Sequence, residues 1–586
     1  MKTFFKMFLA VVLGLIVTPI IMFFIVLIIG LAALSTDKAP VISPKSVLHL
    51  DLNCTITERV ADNPFENYDF SFMEQEKTIG LNTLSSILRQ AKEDDNIEGI
   101  YLEVTKIAAS LATIEELRNH LLDFKESGKF VYCYSDYFSQ SAYYLASASD
   151  KVFLHPQGTL DLRGLAANVM FFKKLLEKVD LEMQIVRHGT YKSAVEPFMF
   201  DKMSEANREQ VQTYLNSMWN HIVANISKSR SLDVKSIQNI CDSILFIASV
   251  DEATGRGIVD ELAYKDQFET FLHAKLDLDS AKKINYVSTK SYKKTLPLQK
   301  AKSDKIAVIY AVGTIGLDKG NNQSIGFSTA EEMAKAREDK NVKAVVFRVN
   351  SGGGSVLTSE SIWREVYLTR QVKPVVVSMG DYAASGGYYI ACASDYIVAQ
   401  PTTITGSIGV FGTIPNMEKM LANKLGITID RVKTNKYSDA ISATRSMDNY
   451  ERNALQNMVE KVYATFIKRV ADGREMTTSY VDSIGQGRVW SGIDALNLRL
   501  VDTLGGLDVA IAKAAEFADI SDYAISERPA MKDFFQEFTE SFMDARISTR
   551  MQKSNLHKTY SYFQFVESAL ELKGVQARIP YIIEIY

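Results

Sequence analysis

Residues 91–104, AKEDDNIEGIYLEV, return as residues 336–349, AREDKNVKAVVFRV. Residues 135–150, SDYFSQSAYYLASASD, return as residues 380–395, GDYAASGGYYIACASD. Both pairs share one displacement, since 336 − 91 = 245 and 380 − 135 = 245. A constant displacement over two separate segments marks a tandem duplication. In each copy the first segment runs from a polar helical stretch into a β-rich strand, 97–104 or 342–349. Residues 46–52 and 306–312 are matching β-rich openings. Alternation of strand and amphipathic helix is the pattern of a parallel sheet covered by helices, an α/β fold. Each copy continues with a strand (129–134 or 374–379), a turn of small residues, and a helix starting near Gln140 or Ser385. Helical periodicity over 204–229 and 449–472 also matches between copies and reads as packing or subunit contact.

At 586 residues the chain is too long for one core, in keeping with two repeated domains. The expected organisation is a cytoplasmic N-terminus and membrane anchor over 1–36, a first repeat over 46–285, a linker over 286–304, a second repeat over 305–518, and a tail over 519–586. The net charge of −4 and the lack of a basic stripe argue against nucleic acid as a partner. The lysines around 290–305 read as a solvated linker. Cys54, Cys133, Cys241 and Cys392 have neither CxxC spacing nor histidines at metal-like spacing, so no metal is expected. Residues 7–34 form an almost unbroken apolar run after Lys2 and Lys6, long enough to cross a hydrocarbon core of about 30 Å. The run is longer than a cleavable signal's apolar region and ends without an A-x-A site, which predicts an uncleaved single-pass anchor. The lysines before it place the N-terminus in the cytoplasm and the body outside it. The tail carries an aromatic amphipathic stretch at 531–543, MKDFFQEFTESFM, expected to be a packed helix.

Chemistry shows where the copies differ. Asn350-Ser351-Gly352-Gly353-Gly354-Ser355 stands opposite Thr105-Lys106-Ile107-Ala108-Ala109-Ser110, so the glycines belong to the second copy alone. Ser385 has Gln140 as its counterpart. With one residue slipped in the alignment, Tyr191-Lys192-Ser193-Ala194 faces Tyr437-Ser438-Asp439-Ala440, so Lys192 has Ser438 as its counterpart.

Amide hydrolysis needs a nucleophile, a base near neutral pH, and donors aimed at the developing oxyanion. Ser385 at a strand-to-helix turn fits the first role, and the Gly386 N–H at the helix start fits the third. The second donor falls to Gly353 or Gly354, in a glycine run that no GK[ST] follows, which argues against a P-loop. No histidine lies near these turns, so the base must be another residue. A lysine serves if burial lowers its pKa from about 10.4 toward 7, roughly 4 to 5 kcal/mol against the charged form. Lys192 is the candidate because the other copy lacks it.

Together, residues 380–389 (GDYAASGGYY), 405–409 (TGSIG) and 191–197 (YKSAVEP) resemble the signal peptide peptidase A family, also called protease IV. Residues 487–492 (GRVWSG) followed by 501–506 (VDTLGG) resemble that family's closing motif. The likeness runs over nearly the whole chain. It implies a Clp protease/crotonase-like fold in each repeat, a Ser/Lys dyad formed between the repeats, and a bowl-shaped homotetramer facing the membrane. It further implies Ser385 as nucleophile, Lys192 as general base, Ser407 as the hydroxyl orienting the lysine, and Gly354 and Gly386 at the oxyanion, with Gly353 an alternative. The family's usual proline at the glycine turn is absent here, which leaves the donating glycine unassigned. No metal or organic cofactor is called for. The implied substrates are released signal peptides and other hydrophobic segments, and the implied location is the bacterial inner membrane with the catalytic body on the periplasmic side. Two rival readings stay open at the level of the residues. One is an acyl-CoA crotonase-like enzyme, which would explain the glycine turns but not the Ser385–Lys192 pairing, and the other is a non-catalytic membrane-anchored scaffold.

Overall fold

The computed structural model describes residues 40–61, 77–243, 250–279, 281–297, 302–321, 324–531, 574–578 and 584–585, with positions 6, 13, 14, 17, 18 and 21 besides. The apolar run 7–34 lies almost wholly outside the described residues, and the amphipathic stretch 531–543 does so from position 532 onward. Among the described residues no helix is long and apolar enough to cross a membrane.

The duplication is visible strand by strand. The first repeat's sheet runs in the order Tyr286–Ser288, Ser46–Asp51, Ile97–Glu103, Phe130–Phe138, Lys151–Leu160, Glu261–Leu262, every neighbour parallel. The second repeats that order as Ala524–Arg528, Lys305–Val312, Val342–Ser351, Val375–Ala384, Tyr396–Ala399, Thr503–Leu504, again all parallel. Each sheet is thus edged by a strand that follows the expected repeat limits, inside the expected linker in one case and the expected tail in the other.

Helices cover both faces, so the central strands are apolar on both sides rather than alternating. In Lys305–Val312 (KIAVIYAV), Ala307, Ile309 and Ala311 face a core with Phe347, Trp363 and Tyr388. Ile306 and Val308 on the opposite face pack against Ala510 and Ala514 of helix Leu507–Phe517. Burying an Ile, Val or Phe side chain stabilises by about 1.5–3 kcal/mol, so a charge in place of Ile306, Val308 or Ile309 would break the layer.

A third sheet joins the repeats and carries the site. Its order is Gly320–Asn321, Ser324–Ile325, Thr314–Ile315, Gly353–Ser355, Gly574–Arg578, Val410–Asn416, Glu182–His188. The last strand belongs to the first repeat and pairs antiparallel with Val410–Asn416 of the second along its whole length, Glu182↔Asn416 through His188↔Val410. Four residues beyond His188 lies Lys192.

The repeats also share buried charge. The Arg348 guanidinium donates to Glu58 (2.9 Å) and to Glu116 (2.9 Å), both from the first repeat, and to Ser378 (2.8 Å). All three charged groups are buried. Asp381 accepts from the Thr113 N–H (2.9 Å) across the same boundary and from Asn350 Nδ2 (3.0 Å) within the second repeat.

Candidate active site

Three loops bring the sequence-selected residues together. Strand Val375–Ala384 ends at Ser385, whose backbone sits at φ +55°, ψ −115°, before helix Gly386–Ala391 begins. A non-glycine residue in that region carries about 1–3 kcal/mol of strain and needs surroundings that hold it. Here the Ser385 N–H donates to the Gly406 carbonyl (2.8 Å), which ties the elbow to the neighbouring loop. Gly387 must be glycine, since a Cβ there would stand 2.4 Å from the Ser351 carbonyl oxygen.

Lys192 reaches the elbow from the other repeat. Its Nζ lies 2.9 Å from Ser385 Oγ, 3.0 Å from Ser407 Oγ and 3.2 Å from the Ser407 carbonyl oxygen. Lys192 is 1% exposed, and burial alone pulls its pKa down to about 7. When the amine is neutral it can meet these contacts by donating two N–H groups to the Ser407 oxygens and turning its lone pair to the Ser385 hydroxyl. Ser407 is itself at φ +50°, and its N–H donates to the Arg488 carbonyl.

Residues 486–489 hold the lysine loop, a role the sequence did not disclose. The Tyr191 N–H donates to the Gln486 carbonyl (2.9 Å) and the Gly487 N–H to the Ile408 carbonyl (2.7 Å). A Cβ on Gly487, at φ +81°, would lie 2.6 Å from the Lys192 backbone. Gln210 closes the clamp: its Nε2 donates to the Tyr191 carbonyl (3.0 Å) and Ser193 Oγ (2.9 Å), while its Oε1 accepts from the Val489 N–H (3.1 Å). Buried Glu196 accepts from Ser204 Oγ (2.6 Å) and Asn207 Nδ2 (3.0 Å), anchoring the loop on helix Glu205–Arg230. Gly487, Arg488 and Val489 fall inside the GRVWSG motif and Gln486 directly precedes it, but nothing in that motif points to the lysine; Gln210, in an ordinary helical stretch, carries no signal at all.

At the glycine turn the Gly353 N–H already donates to Ser351 Oγ (3.1 Å). Gly354 approaches Ile315 so closely that a Cβ would meet its carbonyl oxygen at 2.1 Å. Gly386 opens the helix that follows Ser385. Ser438, the counterpart of Lys192, is an exposed residue bonded to the Asn435 carbonyl (3.1 Å), remote in role from this cluster.

The sequence model of Peptidase family S49 matches residues 123–279 and 368–521, one stretch in each repeat and together more than half of the chain. The chain belongs to peptidase family S49. Among S49 relatives it is similar to Protease 4 of Salmonella typhi, 37% identical over 478 residues that cover 79% of this chain and 77% of that one. It is also similar to the chloroplastic serine protease SPPA of Arabidopsis thaliana, 33% identical over 75% of this chain and 66% of that one. A solved structure, a mutant of the 1510-N membrane-bound stomatin-specific protease in complex with a substrate peptide, covers 42% of this chain and 100% of its own at 12% identity. Its TM-score of 0.27 is too low to carry an argument. As an S49 member the chain is a serine peptidase, and the acyl-CoA and scaffold readings give way to that.

Proposed function

We propose that this S49 peptidase cleaves peptide bonds with Ser385 as nucleophile and Lys192 as general base, a dyad assembled from the two repeats. The observation that carries the reading is the buried Lys192 amine, 2.9 Å from Ser385 Oγ with its pKa near 7. Neutral Lys192 takes the hydroxyl proton as Ser385 Oγ attacks the carbonyl carbon. The oxyanion is met by the N–H groups of Gly386 and Gly354, the Gly353 N–H being engaged by Ser351. Collapse expels the amine, which receives the proton from Lys192, and leaves an acyl-Ser385 ester. Lys192 then deprotonates water, the ester is hydrolysed, and the serine regains its proton. Ser407 orients the amine throughout.

Each repeat, 46–285 and 305–518, is a Clp protease/crotonase-like domain in this reading, joined by a linker over 286–304. The run 7–34 anchors the chain as a single membrane helix, with the tetrameric body on the periplasmic side of a bacterial inner membrane. A body tethered there meets released signal peptides and other hydrophobic segments first.

The test is mass-spectrometric mapping of a fluorophosphonate probe on the detergent-solubilised full chain. Label on Ser385, lost in Ser385→Ala and Lys192→Ala, is the expected result. An unlabelled Ser385, or undiminished peptide turnover in Lys192→Ala, sinks the dyad.

A further inference from the structure

The first repeat has lost the chemistry but not the shape of the site. In the second repeat, strand Gly574–Arg578 lies antiparallel to Val410–Asn416, with Gly412↔Val575 and Thr413↔Gly574 in register, and antiparallel to Gly353–Ser355 on its other side. In the first repeat, strand Glu584–Ile585 lies antiparallel to Ala167–Asn168, with Ala167↔Ile585 and Asn168↔Glu584. The receiving positions are equivalent by the duplication, since 412 − 167 = 245 and 413 − 168 = 245. One C-terminal segment therefore adds a strand to the same two positions of each repeat.

Beside the first-repeat edge lies a cavity of about 200 Å³, lined by Ala109, Ser110, Gln140, Ser141 and Leu165 among others. At the same displacement these are the counterparts of Gly354, Ser355, Ser385, Gly386 and Val410. The first repeat's side of this cavity is its counterpart of the catalytic groove, and Asp381, Tyr382, Thr402 and Ile404 of the second repeat line the other side. It has no nucleophile in place: the Gln140 amide is bonded to the Gly164 carbonyl (3.0 Å) and to the N–H groups of Gly164 (2.8 Å) and Arg163 (3.0 Å).

We propose that this groove is a second, non-cutting binding site for extended peptide, which takes the part of a substrate that lies C-terminal to the stretch held in the catalytic groove. The polarity follows from the segment already seated: residue 575 pairs in the catalytic repeat and residue 585 at the equivalent place in the other, ten positions further toward the C-terminus. Ten residues span at most about 33–36 Å when extended, so one peptide can engage both edges. Backbone pairing supplies the affinity in such strand addition and tolerates varied side chains. The inference rests on the peptidase reading for its substrate class, but it is tested by binding, not turnover.

The test uses the full-length Ser385→Ala protein and fluorescein-labelled synthetic peptides carrying the sequences of residues 574–586 and 574–579, read by fluorescence anisotropy. Two-point attachment predicts that the long peptide binds at least about tenfold more tightly, and that Ala167→Pro, which removes a backbone donor from the edge strand, abolishes the difference. Equal affinities, no binding of either peptide, or an advantage that survives Ala167→Pro overturns the proposal. Because an edge proline can disturb folding, p-benzoylphenylalanine in place of Ser141 gives an independent reading. Photoproducts with the added long peptide are expected. Photoproducts with the chain's own C-terminal residues alone, at saturating peptide, mean that the groove is a fixed seat for the tail and overturn the proposal. Absence of turnover in the parent enzyme would sink the peptidase reading and leave these binding results standing.

Discussion

At the strand-to-helix turn of the first repeat, Ser139 has extended backbone at φ −65° and its Oγ accepts from the Ala142 N–H, an ordinary helix cap. At the same turn of the second repeat, the residue before the helix is Ser385 at φ +55°, with no side-chain cap. The helix there starts one position later, so that the residue equivalent to Gln140 is left in the bend. One sequence ancestry has produced a relaxed turn at Ser139 and a strained one that presents the Ser385 hydroxyl to Lys192. Strain of this kind persists where surrounding structure over-determines it, and here the Ser385–Gly406 and Ser407–Arg488 backbone bonds do so. The lysine is divided between the copies in the same way: the first repeat supplies it and helps hold its loop, and Ser385 and Ser407 of the second supply the contacts of its amine.

The strongest way to break this comparison is to remove either half of the pair. Ser385→Ala and Lys192→Ala are each expected to lower kcat for a peptide substrate by at least about a thousandfold, with no further loss in the double variant, because the two act as a unit. Additive losses in steady-state assays would separate them.

Burial of Lys192 should also be legible in stability. Its folded pKa, about 7, lies below the 10.5 of a free lysine, so folding disfavours the proton the unfolded chain binds. The destabilisation is full below pH about 7 and vanishes as pH rises toward 10.5. Lys192→Met should therefore raise stability by about 4 kcal/mol at pH 7, and by almost nothing at pH 10.5. Denaturant midpoints across that range check the slope. Activity follows the same group in the opposite sense to charge: kcat/KM should climb about tenfold per pH unit below 7 and level above it.

Gly487→Ala sets a Cβ 2.6 Å from the Lys192 backbone at a φ of +81°. A displacement of the amine approaching 1 Å costs on the order of a hundredfold in kcat, and steady-state kinetics with an unchanged oligomer profile would show it. Gln140→Ser sharpens the comparison from the other side. It restores a serine to the first repeat without a lysine to serve it, so probe labelling should remain on Ser385 alone.

Much of this was readable in advance, and the reasons are physical. The parallel sheets showed in the sequence because strands buried on both faces are continuous apolar runs. Ser385 and Lys192 showed because the other copy lacks them. The boundaries were harder: Tyr286–Ser288 and Ala524–Arg528 are short edge strands whose pairing is decided by the sheets they join. The pairing of residues 574–578 into the site sheet was invisible, since GVQAR has no signature beyond strand propensity and its partners lie more than 150 residues away. Gln210 was missed for a related reason. It acts through a side-chain amide whose partners come from two other loops, and no local spacing encodes that.

The Arg348 cluster has a consequence for the molecule as a whole. The guanidinium belongs to one repeat and both of its carboxylate partners to the other, so neither half is electrically complete by itself. The network is complete only while the repeats stay docked, and a charge left buried there without its partner costs about 3–5 kcal/mol. The two repeats are therefore expected to unfold as one cooperative unit, and a calorimetric scan of the body should show one endotherm where the duplication alone would suggest two.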